Sequence, residues 1–371
     1  MTRIATLMAL TFGWGIGNCV HAQLSLTGPV TRAVYQRNGT DQANVPLMGT
    51  FSGVATAIEA RATGEGGVPM TPWQVVDNSP GGSFTGNLTL PAGGWYQVEV
   101  RALNGMAETA LKSVERVGVG DVFIAAGQSN AANHGLPRQT ADDRVSTLVS
   151  LTTHQWRQAN DPQPIASGLD GSPWPPFGNA LVAQNDMPVG IISVGNGGTP
   201  VRSWLPGDTL YNRIRDALQF MGPEGVRAVL WHQGESDALE NTSTATYASR
   251  LNTIIAQSRV DAGWNVPWGV AIASYHDASS LAQQAAVVAG QHLVIDGDPL
   301  VFEGPNTDNF HNVGYLWDNV HFNGLGLQAH GQMWADAVTG FFPSVPEPTS
   351  GVLLGIAGLL AQFVFGGRRP R

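Results

Sequence analysis

Cysteine is almost missing from this chain of 371 residues: there is one, Cys19. It lies in a stretch that reads as a removable leader, so the mature chain is expected to carry no disulfide and to rely on core burial alone. Cys19 also lacks the small preceding residues of a lipoprotein site, so no lipid anchor is expected. Charge is scarce as well, at 13% of residues, with a formal net charge of −9 and no basic block. That balance argues against a nucleic-acid partner. No internal repeat is visible, which excludes a solenoid. What is present is apolar: 43% hydrophobic residues, enough for a sizeable core and against disorder through most of the chain. The 46 glycines and 23 prolines favour strands and loops over a helical bundle. The length fits two domains. Eleven tryptophans are many for this length. Core filling accounts for most of them, and the sharper reading is a platform on which a sugar ring stacks.

Both ends read as targeting segments. Arg3 precedes the apolar stretch from Ile4 to Ile16, and Val20-His21-Ala22 offers small residues for cleavage after Ala22. Residues 1–22 are therefore expected to be a signal peptide. At the other end Val345-Pro346-Glu347-Pro348 precedes the apolar run from Gly351 to Phe365, followed by Arg368, Arg369 and Arg371. The run is about 15 residues, short of the roughly 20 that span a bilayer comfortably, but snorkelling arginines extend it. Residues 345–371 resemble a PEP-CTERM sorting signal. The resemblance implies export, exosortase-type sorting machinery as a partner, and membrane contact, transient or retained, through the C-terminal helix. The expected destination is the cell surface, periplasm or extracellular matrix.

Between these ends the pattern changes once. Residues 24–117 alternate in the manner of half-buried strands, as in Ala57 to Ala62 and Trp95 to Arg101, with turns such as Pro80-Gly81-Gly82 between them. A small β-sandwich module is expected there. From residue 119 to 342 continuous apolar strands alternate with helical stretches. The strands are Val122 to Ala126, Val189 to Val194, Val226 to Trp231 and Trp268 to Ala273. Helical spacing marks Leu210 to Met221, Tyr247 to Ile255 and about Leu325 to Val338. Strands apolar on both faces belong in a parallel sheet covered by helices. The expected fold is α/β, a doubly wound parallel sheet in a three-layer sandwich, preceded by the all-β module.

Four motifs follow strands or open helices, where such sheets build their sites. Ser129 stands in Gly127-Gln128-Ser129-Asn130, directly after the first strand. A hydroxyl is a poor nucleophile unless a base takes its proton and a carboxylate orients the base. The second motif, Gly195-Asn196-Gly197-Gly198-Thr199, offers backbone N–H groups a close approach to an oxyanion. In the third, His232-Gln233-Gly234-Glu235-Ser236-Asp237, Gln233 can donate a side-chain N–H to the same charge. Glu235 and Asp237 are alternatively a carboxylate pair for glycoside hydrolysis. The fourth is Asp318-Asn319-Val320-His321, where a turn puts carboxylate and imidazole on one side. Taken singly, Ser129 is also an ordinary turn serine, and His321 has rivals in His232, His311 and His330. A metal site from His311, His321 and His330 has no recognised ligand spacing. A Gly-x-Ser elbow of the α/β-hydrolase kind wants glycine where Ala131 stands.

In this order, with Trp204 five residues beyond Thr199, the four motifs resemble the SGNH hydrolase superfamily, and within it sialate O-acetylesterases and carbohydrate esterase family 6. The resemblance covers roughly 119–340. It implies Ser129 as nucleophile, His321 as general base and Asp318 as its orienting partner. It also implies oxyanion donors from the Ser129 amide, Gly197 and Gln233, with Gly198 the rival to Gly197. No cofactor or metal is required, and the implied partner is an acetylated carbohydrate. The alternative from another class is a surface carbohydrate-binding protein that has kept the fold and lost turnover.

Overall fold

The structure, a computed structural model, describes residues 23–64 and 67–342. The expected signal peptide at 1–22 and sorting signal at 345–371 lie outside the described residues. Among the described residues no helix is long and apolar enough to cross a membrane.

The chain forms two compact units. In chain order the strands up to the second unit are β1 (Gln23–Gly28), β2 (Val34–Gln36), β3 (Gln42–Ser52), β4 (Ala57–Thr63), β5 (Gln74–Asp77), β6 (Ser83–Pro91), β7 (Gly93–Asn104) and the long β8 (Ala107–Gly127). In the first unit β1, β3 and β6 form one sheet, and β4 pairs antiparallel with β5 and β7. The alternation read from the sequence is carried by burial: Ile58, Ala60 and Ala62 are inward on β4, and Val98, Val100 and Ala102 on β7.

The second unit takes residues 32–41 and 91–93 as well as the chain from Gly118 onward. β2 pairs parallel with Gly118 to Gly120 of β8. Arg37 grips Asp121 through two bonds, Nε to Oδ1 at 2.9 Å and Nη2 to Oδ2 at 3.0 Å, and both side chains are buried. Beyond β8 come β9 (Val145–Leu148), β10 (Trp156–Gln158), α1 (Trp174–Asn185), β11 (Val189–Ser193), α2 (Thr209–Met221), β12 (Ala228–His232), α3 (Glu235–Leu239), α4 (Thr244–Ala262), β13 (Trp268–Ile272), α5 (Leu281–Gly297), β14 (Val301–Asn306) and α6 (Gly324–Phe341). The strand order is β10-β9-β11-β8-β12-β13-β14, parallel except for the β10–β9 edge. This is the expected doubly wound sheet. The helices α1, α3 and α5 and the strands β9, β10 and β14 add to the elements read from the sequence.

Helices cover both faces. Phe123, Ile191, Leu230 and Phe302 share one core with Trp174 and Phe177 of α1 and Trp334 of α6. On the opposite face Trp231 and Trp268 meet α4, where their indole nitrogens donate to Tyr247 Oη (3.4 Å) and Ser258 Oγ (3.2 Å). The chain leaves β8 for β9 and β11 on one side, then crosses to β12 on the other. The carboxyl ends of β11, β8 and β12 therefore sit at the point where winding reverses, where an open sheet leaves a crevice.

Candidate active site

Gly127 ends β8 and opens the turn that carries Ser129. Its φ is +126°, and a Cβ there would lie 2.0 Å from the carbonyl oxygen of His232. Only glycine fits, and the turn is tight as a result. Gln128 N–H donates to His232 O and Asn196 N–H donates to Gly127 O, both at 2.9 Å. The first three motifs are thus stitched together at the strand ends. Ser129 is buried and starts a short 3-10 turn ending at Ala131.

The fourth motif arrives from far along the chain. Asp318 Oδ1 accepts from the N–H groups of Val320 (3.1 Å) and His321 (2.7 Å), which makes a tight Asx turn. Asn319 takes the left-handed backbone that this turn requires, with φ +74°. Asp318 Oδ2 is left to meet His321 Nδ1 at 2.7 Å. Burial works against ionising Asp318, but the His321 ring and the two N–H groups outweigh it and hold the carboxyl below its ordinary range. With Nδ1 engaged, Nε2 is the nitrogen left to accept a proton. Asn323 caps α6 and also donates to Gly314 O (2.7 Å), which pins the loop behind His321.

Asn130 joins the two halves. Its Nδ2 donates to Val320 O (3.2 Å) and to Glu235 Oε1 (3.0 Å). The neighbour of Ser129 is therefore bonded to the neighbour of His321. No hydrogen bond joins Ser129 Oγ to His321 Nε2, a contact that commonly tightens only when substrate is bound.

The oxyanion candidates stand differently from one another. Gly197 N–H is occupied, donating to Ser167 Oγ at 2.7 Å. Gly198 is exposed at φ +68°, and its N–H has no acceptor among the described residues. Gln233 Nε2 donates to Asp237 Oδ2 (2.6 Å) and Gln128 Oε1 (3.2 Å), so both of its N–H groups are engaged. The Gln233 carbonyl is held by Tyr247 Oη (2.8 Å) and Gln291 Nε2 (3.1 Å), from α4 and α5.

Glu235 and Asp237 do internal work. Both are buried, Glu235 on Asn130, and Asp237 on Gln233 and on Val201 N–H at 2.6 Å. Burial pushes both carboxyls upward. Neither faces outward as a glycosidase pair must. His232 and His330 are fully buried with rings 4.6 Å apart, while His311 is exposed and stacked on Tyr275. Among the described residues no three His, Cys, Asp or Glu side chains are grouped to hold a metal ion.

Sequence reading missed His134. Its ring stacks on His321, centroids 5.5 Å apart, and its Nε2 lies 3.3 Å from Ser167 Oγ. Burial first, then the charge of His321, lowers its pKa, so it is neutral near pH 7. Ser167 was invisible for the same reason as Asn130: its partners are remote in sequence.

A serine at the carboxyl end of a central parallel strand, beside a paired aspartate and histidine, is the layout of a serine-dependent hydrolase. Residues 119–340 match the family model for carbohydrate esterase, sialic acid-specific acetylesterase, and the chain belongs to that family. It is 27% identical over 167 residues to a probable carbohydrate esterase of Arabidopsis thaliana, a match covering 38% of this chain and 63% of that protein. Its fold is that of a carbohydrate acetylesterase from Xanthomonas citri, with a TM-score of 0.57 and 22% identity over 85% of this chain and 75% of the other.

Proposed function

We propose that this protein is an exported carbohydrate O-acetylesterase. Ser129 Oγ attacks the ester carbonyl. His321 Nε2 takes the hydroxyl proton and returns it to the leaving sugar oxygen. Asp318 fixes the tautomer and steadies the imidazolium. Water, activated by the same nitrogen, then cleaves the acyl-enzyme. The observation that carries this reading is the Asn130 to Val320 bond at 3.2 Å, which adjoins the nucleophile turn to the base loop.

The oxyanion is met by the Ser129 amide and a glycine N–H of the second motif. Gly198, whose N–H is uncommitted, is the readier donor. Gly197 serves only if the Ser167 hydroxyl turns away. Gln233 joins by exchanging its longer bond, to Gln128, for the oxyanion. Each donor is worth about 3 kcal/mol of barrier.

Replacing Ser129 by alanine is expected to abolish acetate release from p-nitrophenyl acetate and from acetylated glycans; retained turnover rejects the nucleophile. Sialic acid is the sugar named by the family description, and acetate release across O-acetylated sialic acid, xylan and bacterial exopolysaccharide tests it. A wild-type protein that binds these glycans but releases no acetate fits the binding-protein reading instead. Export, handling by exosortase-type machinery and membrane contact through residues 351–365 are part of the proposal. Fractionation of producing cells, with and without residues 345–371, checks them.

A further inference from the structure

Ten of the eleven tryptophans fall among the described residues, and one of these is exposed: Trp317, at 48%. Trp174, Trp204, Trp231, Trp268 and Trp334 are fully buried and belong to the core. Trp73, in the first unit, is covered by the guanidinium groups of Arg61 and Arg101. Trp317 is different in kind. It directly precedes Asp318, and its indole stacks on the His321 ring with centroids 6.3 Å apart and planes 26° from parallel.

Backbone and side chain are each held. Trp317 N–H donates to His321 O at 2.9 Å, and its indole nitrogen donates to His134 O at 3.2 Å. One bond holds the backbone and one holds the ring, yet about half of the residue's surface stays in water. Leaving a large apolar face exposed forfeits burial energy, and ordering it adds no compensation unless something lands on it. The indole has its one donor satisfied within the protein. What it presents outward is carbon.

We propose that Trp317 is the platform on which the pyranose ring bearing the acetyl group stacks, and that it sets the preference for sugar esters over small ones. The inference rests on the esterase reading above. His321 Nε2 must reach the leaving oxygen, which is a hydroxyl of that sugar. A ring next to the imidazole is therefore next to the leaving group, within the width of one sugar. The C–H face of a pyranose is apolar and flat, and suits an indole face. A small alcohol or phenol leaving group has no need of the platform.

The test compares wild type, Trp317→Ala and Trp317→Phe on p-nitrophenyl acetate and on acetylated methyl pyranosides. With Trp317→Ala, KM for the sugar esters is expected to rise about ten-fold or more with kcat largely kept, and the loss in kcat/KM for p-nitrophenyl acetate is expected to be several-fold smaller than the loss for the sugar esters. Trp317→Phe is expected to recover most of the loss. The pH profile of kcat/KM on p-nitrophenyl acetate is expected to be unmoved. Equal losses on both substrate classes, or a displaced pH profile, show a ring that merely buttresses His321 and overturn the proposal. An unchanged KM for every sugar ester does the same. Failure of the esterase reading shows separately, in a wild-type enzyme that hydrolyses none of the substrates, and it removes this proposal with it.

Discussion

At the scale of single residues, short-range bonds fix what long-range folding brings together. Asp318 accepts from its own turn and from the imidazole, so the hydrogen bonds that set the His321 tautomer close within four residues. Asp318→Asn keeps the size of the group and loses the charge. A fall of roughly 10³–10⁴-fold in kcat is expected, with KM little changed, measured on p-nitrophenyl acetate. Asn130 acts at one remove, as a positioning residue. Asn130→Ala frees Val320 O and leaves buried Glu235 without its donor, so kcat is expected to fall about ten- to a hundred-fold. An Asn130→Ala variant with wild-type kcat would show that the bridge has no part in alignment. The Asp318–His321 pairing was legible because three residues of spacing allow a turn to close it. The bridge was not, because its partners lie 105 and 190 residues away.

Elements were legible in proportion to how one-sided their surroundings are. The strand from Val122 to Ala126 reads as a continuous apolar run because helices cover both of its faces. The amphipathic helix α2 shows its stripe through Tyr211, Ile214 and Leu218. In contrast α5 is rich in alanine and valine all round and shows no stripe, while α1 opens on Trp174-Pro175-Pro176, which reads as a turn although proline is at home in a first helical turn. Helix α6 carries a different liability. Its His330 is fully buried with neither ring nitrogen bonded among the described residues, against His232. Burial lowers His232 to about 4 and His330 well below its ordinary value, so the native state refuses protons that the unfolded chain accepts. Stability from these groups is full above pH 6.5 and is lost as the pH falls toward 4. For His232 that loss is on the order of 3 kcal/mol by pH 4. Glu235 and Asp237, whose pKa values are raised, act with the opposite sign. A single substitution separates the contributions. With His330→Leu, the denaturation midpoint is expected to fall less between pH 6.5 and 5 than in wild type, read from urea titrations at both values; an equal fall would mean that His330 is not the group refusing the proton.

At the scale of the whole molecule, the change of pattern near residue 118 was visible in sequence, but the route of the chain before it was not. Residues 32–41 leave the surrounding β region to pack with the second unit, where Arg37 is sealed against Asp121. A lone arginine in a strand-rich stretch carries no sign of a carboxylate 84 residues away. Removing one partner of a buried pair strands the other. Arg37→Ala is expected to cost about 3 kcal/mol of global stability, at the low end of the usual range because Gln36 also donates to Asp121. Thermal unfolding followed by calorimetry measures it, and an unchanged midpoint would count against the pair as a structural tie.

A few bonds, from Asn130, Trp317 and Leu136, span the seam between the nucleophile segment and the loop before the last helix. Any loosening of that loop withdraws the proton acceptor while the parallel sheet is still intact. Mild heating or dilute denaturant should therefore silence the enzyme well before its interior indoles meet water, and restoring ordinary conditions should revive it without the delay of complete renaturation.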